Sequence, residues 1–176
     1  MKLPRKLAHL VAVSVLIGGG VVGVVAATAA PAHALECYDG WLRSNANGRY
    51  VSTELGYGGG SHAMLRARAT RVGPWEQYEF CWGVNGNDAN LAIRSIANGK
   101  WVAAELGRTG NDYGMLRARS SSIGPWETFN GALGLRNVHN WRWVTAELGQ
   151  TGSRDAMLRA RATSYGPWER FTNSGP

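Results

Sequence analysis

From about residue 35 onward, apolar residues recur at every second position rather than at a spacing of 3.6. In RYVSTEL, Val51, Thr53 and Leu55 alternate with Tyr50, Ser52 and Glu54; in MLRARA, Leu65, Ala67 and Ala69 alternate with Met64, Arg66 and Arg68. A period of two puts the two sets on opposite faces of an extended chain, so both segments are predicted to be half-buried strands. The glycines of GYGGGSHA join them as a hairpin loop, and the Gly-Pro of GPWE punctuates the approach to a further strand, WEQYEFCW. GWLRS supplies the strand that comes first.

The same paragraph of sequence is written three times. RSNANGRYVSTELG, RSIANGKWVAAELG and RNVHNWRWVTAELG start at Arg43, Arg94 and Arg136, and MLRARATRVGPWEQY, MLRARSSSIGPWETF and MLRARATSYGPWERF follow from Met64, Met115 and Met157. Both phrases are offset by 51 and then 42 residues, so each unit aligns without an internal gap. The extra length falls in EFCWGVNGNDAN, where VNGND is a hairpin-turn signal. The repeats therefore run over about 38–82, 90–130 and 132–172.

Three units of four short strands, with no helical segment after residue 34, predict an all-β fold, the β-trefoil: six strands closing a barrel and three hairpins capping it. A three-bladed propeller is the alternative, disfavoured because propellers usually have four or more blades. One unit cannot bury its own apolar face. Three around a pseudo-threefold axis share a core, predicted to hold Leu65, Leu116 and Leu158 with Val51, Val102 and Val144.

The combination G-(R/K)-(Y/W)-V-x-(T/A)-E-x-G, then L-x-A, then G-P-W-E-x-(F/Y), resembles the fascin-like, or actin-crosslinking-like, β-trefoil modules, and the likeness covers everything after residue 34. That resemblance implies the trefoil fold. It leaves the ligand open between cytoskeletal actin bundling and the glycan binding of secreted bacterial modules that accompany polysaccharide-degrading enzymes. Such bacterial relatives often carry Asn where Arg68, Arg119 and Arg161 stand, which implies a retuned polar side of the hairpin here.

The first residues read differently. Lys2, Arg5 and Lys6 precede an apolar run that ends in PAHA, so residues 1–34 are expected to be a signal peptide cut after Ala34, with an uncleaved anchor as the alternative. A secreted, monomeric domain at 35–176, without stable membrane insertion, follows. Removing residues 1–34 removes three cations and no acid, which reduces the net charge from +7 to +4. The remaining cations are nearly all arginine and alternate with glutamate, a mixed surface that does not point to nucleic acid. Cys37 and Cys81, an even pair in an exported chain, are expected to form a disulfide that ties the amino terminus to the barrel. No metal site or cofactor is expected, since there is no CxxC pair and the histidines sit in unrelated contexts.

Alternation sorts the repeated polar residues onto one face of each hairpin. Tyr50, Glu54 and Arg66 share it in the first unit, with Met64 and Arg68; Trp101, Glu105 and Arg117, then Trp143, Glu147 and Arg159, follow in the others. A ring beside paired donors and acceptors suits sugars, whose C–H faces stack on aromatics while hydroxyls bond to charged groups. A cross-strand ion pair under a ring is the competing reading, and the arginines favour bracing over binding. The GPWE tryptophans Trp75, Trp126 and Trp168 read as a core layer, with a pocket wall as the alternative. Trp141 stands where the other units have Gly48 and Gly99, adding a stacking surface to the third unit. Catalysis is not expected: glycoside cleavage needs two acids of opposed protonation state, and nothing in the repeat separates them. The expected function is a non-catalytic, lectin-like module with up to three glycan sites. A protein-interaction module, crosslinking or protease-inhibiting, is the alternative.

Overall fold

The computed structural model describes residues 34–174. The expected signal peptide lies outside this range but for Ala34. Among the described residues no helix is long and apolar enough to cross a membrane.

The first unit comprises β1 (Glu36–Gly40), β2 (Leu42–Ser44), β3 (Tyr50–Glu54), β4 (Met64–Ala69) and β5 (Tyr78–Trp82). The second comprises β6 (Asn90–Ser95), β7 (Lys100–Ala104), β8 (Leu116–Ser120) and β9 (Phe129–Asn130), and the third β10 (Arg136–Asn137), β11 (Trp143–Glu147), β12 (Met157–Ala162) and β13 (Phe171–Asn173). β1 and β2 are a single first strand bent at Trp41. The outer strands of each unit build the barrel: β1 pairs β5, β5 pairs β6, β6 pairs β9, β9 pairs β10 and β13 pairs β2, all antiparallel. The inner pairs β3–β4, β7–β8 and β11–β12 are the hairpins. The fold is a β-trefoil.

The hairpins meet around the pseudo-threefold axis in a closed cycle. Met64 faces Arg117, Met115 faces Arg159 and Met157 faces Arg66. One backbone bond secures each junction: Ala118 to Ala63, Ala160 to Gly114 and Ala67 to Ala156, at 2.9, 2.7 and 2.9 Å. The three methionines pack together on the axis, fully buried. Beneath them Leu65, Leu116, Leu158, Val51, Val102 and Val144 fill the common core with no exposure, as the alternation predicts. Each such side chain contributes about 1.5–3 kcal/mol of burial, and no unit could obtain it alone.

Three local expectations need correction. WEQYEFCW is not one strand, because Pro74–Glu76 forms a 3-10 turn and β5 begins only at Tyr78. Cys37 lies inside β1 rather than before the first strand, directly opposite Cys81 on β5. The third concerns every hairpin. The pairing register slips between Tyr50 and Val51, Trp101 and Val102, and Trp143 and Val144, so Arg68, Arg119 and Arg161 are extra residues at a β-bulge. A bulge interrupts the alternation and re-aims the side chain it inserts.

Candidate functional site

The polar face of each hairpin is divided between two arginines. Arg66 is 7% exposed; across the axis it donates Nε to the Asp155 carbonyl at 2.7 Å and Nη2 to that of Gly152 at 3.3 Å, and within its own hairpin Nη1 to the Tyr57 hydroxyl at 2.9 Å. Arg117 does the same to His62 and Gly59, at 2.8 and 3.4 Å, and Arg159 to Tyr113 and Gly110, at 2.8 and 2.9 Å. Each arginine thus braces the hairpin loop of the preceding unit, and the cycle closes. Burial pushes the Arg117 and Arg159 guanidiniums down from their ordinary pKa, and Glu105 and Glu147 nearby oppose it.

The bulge arginines turn outward instead. Arg68 grips Glu54 with both a Nε and a Nη2 bond, the latter 3.0 Å long; Arg119 holds Glu105 and Arg161 holds Glu147 by the same fork. The carboxylates are buried, while 41–43% of each arginine side chain remains exposed. The hydrogen bond to the carboxylate, outweighing burial, raises the pKa of all three arginines. A planar cation is therefore held in a fixed orientation with one edge toward solvent.

The GPWE turns supply the next wall. Glu76 is buried and reaches back to the Gly73 amide at 2.8 Å and to the Ser52 hydroxyl. Glu127 and Glu169 close the same loop onto Gly124 and Gly166, at 3.0 and 2.8 Å. Gly73 sits at φ −132°, which any residue adopts. The glycine is needed for space, because a Cβ there would lie 3.1 Å from the Glu76 carboxylate. With the glutamate turned in, the tryptophan turns out: Trp75 is 53% and Trp168 45% exposed, whereas Trp126 is half-buried edge-on to His139, 6.4 Å away. The expected core layer of tryptophans is therefore wrong. In the first and third units the glutamate and not the ring is interior, and in the second Glu127 and Trp126 are both half-buried.

In the first unit this arrangement forms an open cleft of about 420 Å³, lined by Arg68, Thr70, Arg71, Pro74 and Trp75. The ring, acid and guanidinium that the alternation placed on one outward face are redistributed. Glu54, Glu105 and Glu147 are buried under the bulge arginines, Arg66, Arg117 and Arg159 belong to the brace, and the cause is the same for both. In a trefoil the second face of each hairpin packs on its neighbour. Tyr50, Trp101 and Trp143 are half-buried, each beneath a guanidinium: Arg43 and Arg94 lie 5.5 Å from the centroids of Tyr50 and Trp101, and Arg136 5.2 Å from that of Trp143. Arg68 and Trp75, the half-exposed pair at the cleft, were legible only as repeated residues, since no glycine marks the bulge.

No protein-family profile and no curated protein matches the chain. Solved structures do. The chain is similar to ThreeFoil, a designed threefold-symmetric protein, at a TM-score of 0.61 and 16% identity, covering 77% of this chain and 96% of that one. It is similar to the Rhizoctonia solani agglutinin at 0.55 and 10%, covering 82% and 98%, and to a Culex salivary protein of the Cysteine and Tryptophan-Rich family at 0.55 and 13%, covering 81% and 96%.

Identities this low establish the shared trefoil fold alone. The chain departs from threefold symmetry in particular places. Thr53 and Tyr78 of the first unit form a buried hydroxyl chain with Ser95 of the second, whereas the second and third units have Ala104 and Ala146 at the Thr53 position. Burial drives the pKa of the Tyr78 hydroxyl far above its usual range, so it stays a neutral partner in that chain.

Proposed function

We propose that this protein is a secreted, non-catalytic, lectin-like module that binds glycan through up to three related sites. The observation that carries the reading is the Arg68–Trp75 cleft. A guanidinium held in plane by a buried carboxylate stands half-exposed beside an exposed indole, and the repeat supplies the same residues as Arg119 with Trp126 and Arg161 with Trp168. Sugars use both parts, the indole for C–H faces and the guanidinium edge for adjacent hydroxyls. The half-buried Tyr50, Trp101 and Trp143, with Glu54, Glu105 and Glu147 behind the arginines, then support the sites rather than lining them alone.

The carboxylates favour binding over catalysis. Glu54 and its copies are committed to arginine forks and Glu76 and its copies to capping, which leaves none of them a proton donor beside an acceptor. The Cys37–Cys81 bond suits an oxidising compartment, in keeping with export. The similarity to an agglutinin agrees with a multivalent body, on which individually weak sites gain avidity along one polymer.

Retention on insoluble β-glucan, cellulose and chitin tests the reading. The protein is expected to be retained on at least one of them, and Trp75→Ala with Trp168→Ala to reduce that retention at least tenfold. Retention on none, or retention indifferent to both substitutions, refutes it.

A further inference from the structure

The threefold pattern is broken most sharply at one turn. Gly48 and Gly99 close the β2–β3 and β6–β7 turns at φ +67° and +66°, and the matching residue in the third unit is Trp141, at φ +54°. The turn itself is unchanged, for the amides of Gly48, Gly99 and Trp141 donate to the carbonyls of Ser44, Ser95 and Asn137 at 2.9, 2.9 and 3.0 Å. A bulky side chain in the left-handed region crowds its own backbone, and glycine would close this turn without that strain. The indole is also 59% exposed, so burial does not offset the strain. Neither the turn nor the core accounts for a tryptophan here, and local strain at an exposed aromatic is a mark of ligand contact.

Around Trp141 the third unit builds a platform. The Arg136 guanidinium lies between two rings, 5.3 Å from the centroid of Trp141 and 5.2 Å from that of Trp143. Trp143 meets Tyr165 at 4.9 Å, and Arg170 lies 6.0 Å from the Tyr165 ring. The other units have one such guanidinium over one such ring. The charge differs from the second unit as well. Arg94, the counterpart of Arg136, is paired with Glu79 at 2.8 Å, whereas among the described residues no carboxylate pairs with Arg136 or Arg170, nor with Arg43, the counterpart in the first unit. Arg136 uses Nε on the Trp141 carbonyl at 3.0 Å, which orients the group and leaves its remaining N–H donors for a partner.

We propose that the third unit carries an additional site, selective for an acidic glycan. The Trp141, Trp143 and Tyr165 rings take the C–H faces of the sugars, and Arg136 receives a uronate carboxylate by paired hydrogen bonds, with Arg170 adding positive charge. The proposal rests on the glycan reading above but centres on Trp141 and Arg136 rather than on the bulge arginines, and concerns a different charge class.

Calorimetric titration at fixed salt with a panel of oligouronates (galacturonate, glucuronate and alginate types) and their methyl esters tests it. At least one free acid is expected to bind ten or more times tighter than its ester, and Trp141→Gly and Arg136→Gln each to abolish that preference. Trp141→Gly keeps every charge and installs the residue used by the other two turns, so its melting temperature should be no lower than that of the parent and general attraction of polyanions should be unaffected by it. No preference for any acid in the parent, or a preference unchanged in Trp141→Gly, overturns the proposal. If insoluble glucans are still retained through Trp75 and Trp168, only this inference fails. If the acid preference is present and depends on Trp141 while no insoluble polymer is retained, this inference stands and the cleft reading fails.

Discussion

The Nε of Arg66 donates to the carbonyl oxygen of Asp155 at 2.7 Å, joining the first repeat to the third. With Arg117 on His62 and Arg159 on Tyr113 it completes a ring of braces that no single repeat could form. Charge-assisted bonds from a nearly buried cation are worth more than surface pairs, and truncation leaves loop carbonyls short of a donor. Arg66→Ala should therefore destabilise by about 2–4 kcal/mol in urea unfolding. Arg66→Lys should recover only part of that, because an ammonium on a flexible stem does not reproduce the fork. A loss below half a kcal/mol, the range of an ordinary surface change, would show that the brace contributes little.

A second inter-repeat tie titrates. Arg154 donates to Asp112 at 2.9 Å, across the second and third hairpin loops, and this bond, ahead of the opposing effect of burial, lowers the Asp112 pKa from its usual value of 3.8. A folded-state pKa below the unfolded one gives stability that is present above about pH 4 and is lost as pH falls through the folded value. Asp112→Asn should accordingly lower the melting temperature at pH 7, and the difference from the parent should close as pH falls below the folded-state value. Arg154 is exposed and Asp112 only half-buried, so added salt should shrink the effect. A difference that persists in acid would assign it to packing.

The disulfide between Cys37 and Cys81 closes a loop of 44 residues, with the two Cα atoms 4.1 Å apart on paired strands. Loop-closure entropy for that length corresponds to about 4 kcal/mol, an upper figure when the reduced chain keeps some order. Cys37→Ala with Cys81→Ala should lower unfolding stability by about 2–4 kcal/mol. Hydrogen exchange should rise first along β1, which lies at one end of the strand order and is paired with β5. Uniform loss of protection across the barrel would instead make the bond essential to the whole fold.

How much of this was legible follows from what repetition records. Period-two alternation located the hairpin strands and their buried leucines and valines, because the core face of a strand favours apolar side chains and admits a polar one, such as Thr53, only with a buried partner. The opposite face misled, since alternation states which side a residue is on and not what covers that side. Glu54 and Arg66 look alike in sequence, yet one is held by a bulge arginine and the other crosses to a neighbouring loop. The bulge at Arg68 carries no glycine and leaves no mark. GPWE misled for a related reason: hydrophobicity alone places the tryptophan in the interior, while the backbone amide of Gly73 needs the acid within reach.

The three proposed sites should not bind equally, and the reason is visible at His139. Trp75 and Trp168 present 53% and 45% of their surface, but Trp126 is half-buried with His139 at its edge, so a sugar must displace part of an existing contact to stack on it. Trp126→Ala should therefore cost the least glycan affinity of the three single substitutions, less than threefold, with Trp75→Ala and Trp168→Ala each costing more. Valence sharpens the comparison. Against a short oligosaccharide, which engages one site, each substitution should remove one binding step and leave the others untouched. Against a polymer, loss of either strong site should reduce avidity by a further order of magnitude, because the effective concentration of the second site is lost with it. Titration of the three variants with both ligands decides the point: equal losses, or the largest loss at Trp126, would mean that ring exposure does not set site strength.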